Sequence, residues 1–155
     1  MEWTDIVAVV VSVAALIISI LQFFVERLRS RREATINALA ELQKEVLNNS
    51  KYTELDANEV VKEHMAKKDG DADYDWETAS EFLARIEQFA VGINTGVYAV
   101  SVLDRMAGSH MIKEYQRVEP IISYKRKKAG TDKRYIEFET MVNKLKKYNP
   151  DIKTH

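Results

Sequence analysis

Six cations gather around one turn late in the chain: Lys125, Arg126, Lys127 and Lys128 precede Gly130, and Lys133 and Arg134 follow it. Cations at that density raise the local concentration of anions, so the loop is a candidate phosphate site for an anionic lipid, a nucleotide or a short oligonucleotide. Tyr124 and Tyr135 border it and could stack on bases. Two plainer readings compete. Charged runs on helices commonly form a solvated face, and unlike patches can meet between subunits. The second fits a segregation along the chain. Tyr52 to Gln88 holds eleven acids and four bases, whereas Lys113 to His155 holds twelve bases and six acids.

Elsewhere the residues of catalysis are thin. His64, His110 and His155 are scattered, and none has a second histidine at metal spacing. His110, beside Gly108, reads as a packed or subunit-contact residue. Asp69, Asp71, Asp73 and Asp75 imitate a calcium loop, but a loop begun at Asp69 needs glycine where Tyr74 stands and glutamate where Ser80 stands. No nucleophile has a base near it in a triad pattern, and no phosphate-binding or dinucleotide glycine fingerprint occurs. The absence of cysteine excludes a disulfide scaffold, a thiol nucleophile and Cys-ligated metal. The expectation is a protein that is not an enzyme, with no metal and no cofactor.

Composition places these residues in one ordinary-sized domain with an unusual start. The chain has 155 residues with 46% apolar and 30% charged, and a net charge of −1 excludes a protein basic all over. Ile6 to Val25 (IVAVVVSVAALIISILQFFV) is twenty residues without a charge, broken only by Ser12, Ser19 and Gln22. As a helix it is about 30 Å long, the thickness of a bilayer core. A core helix of so small a domain needs only an apolar stripe, and this run is apolar on nearly every side. A cleaved signal peptide would begin with basic residues, whereas Glu2 and Asp5 are acidic and Phe23-Phe24-Val25-Glu26 offers no small-residue cleavage site. The run therefore reads as a retained transmembrane helix with Trp3 as an interfacial anchor. Arg27, Arg29, Arg31 and Arg32 follow it, so the amino terminus is expected outside and the rest in the cytosol.

Within the span, Asp5, Ala8, Ser12, Ala15, Ser19, Gln22 and Glu26 recur at spacings of 3 and 4. Small and polar side chains on one stripe permit close approach of helices and hydrogen bonds between them. The stripe reads as a homo-oligomeric contact and, if the oligomer opens, as the lining of a pore or ion channel. Chance alignment of three polar residues is the plain alternative.

The remaining chain is helical throughout by its periodicity. ERLRSRREATINALAELQKEVLNN lacks Pro and Gly, so one helix is expected from about Thr4 to Asn48, a stiff link between membrane and domain. Asp56 to Glu59 has capping-box character and opens a short helix to about Lys68, and Lys68 to Asp75 is a polar turn. Trp76, Ala79, Leu83, Ile86, Ala90, Ile93 and Val97, joined by Phe82 and Phe89, mark a long helix, with Gly92 for close packing and Gly96 as its cap. Leu103, Ala107, Met111, Tyr115, Val118 and Ile122 mark the next, loosened at Gly108 and bent at Pro120. Tyr135, Phe138, Val142 and Leu145 mark a last helix ending before Pro150. No alternating stretch supports a strand. The expected fold is all-α: one N-terminal transmembrane helix continuing into a cytosolic bundle of about five helices, with residues 1–48 as membrane and juxtamembrane helix and 49–155 as the cytosolic domain.

The stretch from Phe82 through Glu87, Val91, Gly92, Asn94, Gly96 and Tyr98, with Ile112 to Tyr115 and Tyr135 to Phe138, resembles an uncharacterised bacterial domain family whose members often carry one amino-terminal span. The resemblance covers roughly residues 35–147 and implies a helical cytosolic domain on a membrane anchor, hence a bacterial inner-membrane protein; it implies no activity. By architecture alone the chain is similar to membrane effectors of antiphage systems, including those gated by cyclic or linear oligoadenylates.

Together these features lead to a homo-oligomeric effector in antiphage defence. Its cytosolic domain would sense a nucleotide-type signal through Lys125, Arg126, Lys127, Lys128, Lys133 and Arg134, with Arg126, Lys127 and Arg134 the most specific choice. Its seam of Ala8, Ser12, Ala15, Ser19 and Gln22 would open a pore. The expected partners are the bilayer, further copies of the chain and an oligonucleotide or cyclic nucleotide. The alternative is a membrane-tethered scaffold for a protein partner, with no gate. A membrane hydrolase is the weakest reading, for want of catalytic residues.

Overall fold

The computed structural model describes residues 3–67 and 73–148. Lys68 to Ala72, with Asp69 and Asp71 of the imitation calcium loop, and Pro150 and His155 lie outside the described residues. The described chain is all-α: α1 (Trp3–Leu42), α2 (Ser50–Thr53), α3 (Ala57–Ala66), α4 (Tyr74–Asn94), α5 (Val100–Ala129) and α6 (Ile136–Tyr148), with no strand among the described residues.

α1 continues without a break into a π-helical turn, Gln43–Leu47, and the whole rod ends at Asn48. Forty-five residues at about 1.5 Å each make it nearly 70 Å long. Its two halves differ in kind. From Ile6 to Ser30 the described side chains are all exposed; from Thr35 onward Leu39, Leu42, Val46 and Leu47 are buried in the bundle. Fourteen large apolar side chains between Ile6 and Val25 stand at least 41% exposed. Each would gain about 1.5–3 kcal/mol on leaving water, so nothing in the chain itself compensates for their position. This is the one helix among the described residues long and apolar enough to cross a membrane.

The bundle core is built by α4, α5 and α6. α4 buries Phe82, Leu83 and Ile86, α5 buries Leu103, Met111, Ile112, Ile121 and Ile122, and α6, packed on both, adds Phe138, Met141 and Leu145. Tyr115 packs edge-on against Phe138, with ring centres 5.1 Å apart. α3 packs on both α4 and α5, as α6 does. α3 opens with the expected cap: the Asp56 carboxylate accepts from the Asn58 and Glu59 N–H groups. α4 starts two residues before Trp76, at Tyr74, because Asp73 accepts from the Trp76 N–H and caps it. α5 runs unbroken through Gly108 and Pro120 to Gly130, whose left-handed conformation (φ +62°) ends it.

The start of α6 is set from outside. The Glu87 carboxylate accepts from the Glu137 N–H at 3.1 Å and the Phe138 N–H at 2.7 Å, so a side chain of α4 caps α6. Asn94 donates to the Glu137 carbonyl at 2.8 Å and to its carboxylate at 2.7 Å. Tyr135, expected inside the helix, precedes it instead with φ +57°, a conformation costing a bulky residue about 1–2 kcal/mol. The Glu87 cap and the burial of the Tyr135 ring hold it there.

Candidate functional site

Three surfaces hold the residues that the sequence singles out. The first is the stripe on α1. Ser12 donates to the Ala8 carbonyl at 2.8 Å and Ser19 to the Ala15 carbonyl at 2.9 Å. Both hydroxyl protons are thus used within their own helix, which lets the residues sit in an apolar medium at low cost. Gln22 differs: its amide makes no hydrogen bond to any described residue. Of the three polar side chains inside the apolar run, Ser12, Ser19 and Gln22, that of Gln22 alone makes no hydrogen bond to a described residue.

The second surface is the basic turn. The six cations do not act as one set. Lys127, Lys128, Lys133 and Arg134 are exposed around Gly130. Arg126 is drawn into the fold, donating to the Glu139 carboxylate at 2.7 Å and the Arg134 carbonyl at 2.9 Å. Lys125 is buried, 7% exposed, and faces the other way. Ser123, Arg126, Lys127, Gly130, Thr131, Asp132 and Lys133 line an open depression of about 670 Å³. Because α5 begins beside α1 and is 30 residues long, this turn lies about 45 Å along the helix from that junction.

The third was not legible as a site. Lys125 donates to the Ser80 hydroxyl at 2.5 Å and places its ammonium 4.6 Å from the Trp76 ring and 5.8 Å from that of Tyr135. His64 stacks on Trp76 at 3.9 Å, and Tyr124 meets both rings edge-on. Asp73 joins His64 Nδ1 at 2.8 Å and Lys67 Nζ at 3.0 Å. Desolvation, with Arg134 nearby, brings the Lys125 ammonium down to about 8. Burial would raise the Asp73 carboxyl, but the His64, Lys67 and Trp76 hydrogen bonds outweigh it and hold it below the usual carboxylate range. Tyr124 and Tyr135, expected beside a ligand base, are thus occupied by Trp76, His64 and Lys125. This cluster joins α3, α4 and α5 and closes the end of the bundle next to the basic turn.

Acidic residues line a separate groove of about 520 Å³ between α2, α3 and the start of α4, where Glu54, Asp56, Glu59, Glu63 and Asp75 face a single Lys51. His110 is exposed on α5, away from these clusters. Among the described residues no three His, Asp or Glu side chains are grouped to hold a metal ion.

At the other end of the bundle, α1 and the α4–α5 connection are tied together. The Thr35 hydroxyl donates to the Arg31 carbonyl and accepts from the Ala99 N–H. Tyr98 covers Gly92 so closely that a β-carbon there would overlap its ring, and it stacks on Phe89 at 5.4 Å. Glu87, Gly92, Asn94, Gly96 and Tyr98, which carry the family resemblance, therefore set the start of α6 and the seat of α1.

No curated protein and no solved structure matches the chain. A family model described as a domain of unknown function (DUF4760) matches residues 9–145, so the match takes in most of the apolar run as well as the bundle. The chain belongs to that family.

Proposed function

We propose that this protein is a homo-oligomeric, single-span bacterial membrane effector without catalytic activity, whose cytosolic bundle receives an anionic, nucleotide-type signal and whose α1 helices gate a pore. One observation carries the reading: a single unbroken helix holds the partnerless Gln22 amide in its apolar half and is fastened to the bundle by Thr35 in its other half. In hydrocarbon an unpaired amide costs several kcal/mol, and a second copy of the same helix offers the nearest partner. The four arginines after Val25 support an outside amino terminus and a cytosolic bundle in the inner membrane.

The signal reaches the exposed set Lys127, Lys128, Lys133 and Arg134. A ligand there shifts the gate only by its difference in affinity for the two states, so a few kcal/mol of preference is required. The process we propose for it is antiphage defence. The test is dye release from vesicles containing the full chain, with and without a short oligoadenylate. Ser12→Leu with Ser19→Leu and Gln22→Leu should insert normally and abolish release. Unchanged release in that variant removes the pore.

A second reading is a tethered scaffold. It is favoured by the internally bonded Ser12 and Ser19, which need no partner, and by the acidic groove, which suits a basic protein segment. Replacing the span by poly-leucine separates the two: the scaffold keeps its function and the gate does not.

A further inference from the structure

The junction of α1 with the bundle has a wedge that the proposed gating does not use. Leu28, Arg31, Thr35, Ala38 and Leu42 follow one another at spacings of 3 and 4 along the face of α1 turned to the bundle. Thr35 is fully buried, Arg31 half-buried, and Leu28 is 53% exposed because the bundle stops short of it. What ends the bundle here is the α4–α5 connection. Its Gly96, at φ +79°, lies against the Arg31 guanidinium, and its Val97 is 58% exposed. Leu28, three residues before Arg31 on α1, and Val97, between Gly96 and Tyr98, thus leave exposed apolar surface near Arg31.

Arg31 itself is incompletely held. Its Nε is buried without a hydrogen-bond partner, and its Nη2 reaches the Tyr98 carbonyl only at 3.4 Å. It has no carboxylate partner among the described residues, and neither do the exposed Arg27 and Arg32; Arg29 pairs with Glu33. A planar guanidinium whose Nη groups keep unpaired donors, with cations near it in sequence and exposed apolar side chains nearby, suits a phosphate that carries a hydrocarbon body.

Position names the source of that phosphate. Arg31 is six residues beyond Val25, about 9 Å along the helix, and side chains on a helix lean toward its amino terminus, here the apolar end. The headgroup layer extends about 5–7 Å beyond the hydrocarbon on each side. Leu28 falls within that layer, and the Arg31 guanidinium reaches its edge.

We infer that Arg31, with Leu28 and Val97 beside it, binds the phosphate of an anionic phospholipid and seats the α4–α5 connection on the bilayer surface. The inference rests on α1 as a membrane span. It adds a lipid contact at the base of the bundle, where movement of α1 against α4 and α5 has to pass.

The chain has no cysteine, so a single label can be placed without background. Full-length protein carrying Val97→Cys, labelled with an environment-sensitive fluorophore, is reconstituted into phosphatidylcholine vesicles containing phosphatidylglycerol and a headgroup-borne nitroxide. A Lys128→Cys label reports the far end of the bundle. Quenching at position 97 should exceed that at position 128 several-fold and persist in excess inorganic phosphate. Arg31→Gln should reduce it toward the level at 128, and Arg31→Lys should retain part of it. Equal quenching at the two positions in protein that resists alkaline extraction overturns the lipid site alone. Quenching unchanged in Arg31→Gln overturns the role of Arg31, and relief by inorganic phosphate replaces the lipid by a soluble anion. Extraction of the protein by alkali removes the span and the lipid site with it.

Discussion

Thr35 and Ala99 fasten α1 to the start of α5: the Ala99 N–H donates to the Thr35 hydroxyl oxygen at 2.7 Å, and that hydroxyl donates in turn to the Arg31 carbonyl at 2.6 Å. The bond lies where the bundle begins and the exposed half of α1 ends, with the threonine wholly buried. Movement of α1 relative to α5 has to stretch or break it.

Thr35→Val keeps the shape and leaves the Ala99 N–H without its acceptor. The expected loss is about 1–3 kcal/mol of bundle stability, read by urea unfolding of the detergent-solubilised protein. In the vesicle assay the same variant should uncouple dye release from ligand binding. An unchanged unfolding midpoint would show that the Ala99 N–H finds another acceptor.

Gly92→Ala forces a methyl group into the Tyr98 ring and should cost about 1–3 kcal/mol. Gly130→Ala meets open space and pays only for the left-handed backbone, about 1–2 kcal/mol. The two are separated by a double-mutant cycle. Tyr98→Leu should relieve part of the Gly92→Ala loss, with a coupling of about 0.5–3 kcal/mol, and should leave the Gly130→Ala loss unaltered.

How far the fold was legible follows from the same residues. Apolar periodicity places α4, α5 and α6, and local capping chemistry places Asp56 before α3 and Gly96 after α4, because those signals lie within a few residues of what they control. Tyr135 was read as helical by spacing, yet its position depends on Glu87, some fifty residues earlier. By sequence Lys125 belongs with Arg126, Lys127 and Lys128 to one candidate anion-binding set. On a helix each residue turns by about 100°, so four consecutive cations cannot share one face, and it is Lys125 that points inward. The His64–Trp76–Tyr124 stack joins three helices, and no short spacing announces it.

Lys125 gives a pH dependence with a definite sign. Its folded value, about 8, lies below the ordinary 10.5, so between those two the unfolded chain holds a proton that the folded one has released. Stability from this group should therefore rise with pH across that window and be flat below it. Lys125→Met should flatten the rise, as measured by thermal unfolding at several pH values. A rise that persists in the variant assigns it to another group.

Asp73 works in the opposite window. Its carboxyl is held below the ordinary 3.8, so its contribution is complete above that value and is lost as the pH falls through the folded one. Asp73→Asn weakens the contacts to His64 and Lys67 together and should cost about 1–3 kcal/mol at neutral pH, with the acid limb of the unfolding profile reduced. Near-ultraviolet circular dichroism of Trp76 should change with it, since the His64 ring is then free to leave the stack.

Separate charge changes distinguish the cations of the basic turn. Arg126→Gln should lower stability, through loss of the Glu139 pair, by about 1–2 kcal/mol. Lys127→Glu with Lys128→Glu and Lys133→Glu should leave the melting profile in place and remove oligoadenylate binding together with its salt dependence. Binding that survives with the same salt dependence makes the turn a solvated face.

The most direct test of the account is native mass spectrometry of the full chain released from mild detergent, compared with Gln22→Leu. The account predicts a closed oligomer of the parent chain and its weakening to smaller species in the variant, because inside the apolar run Ser12 and Ser19 bond within their own helix and the amide of Gln22 does not. A parent chain that is monomeric, or an oligomer indifferent to Gln22→Leu, would contradict it.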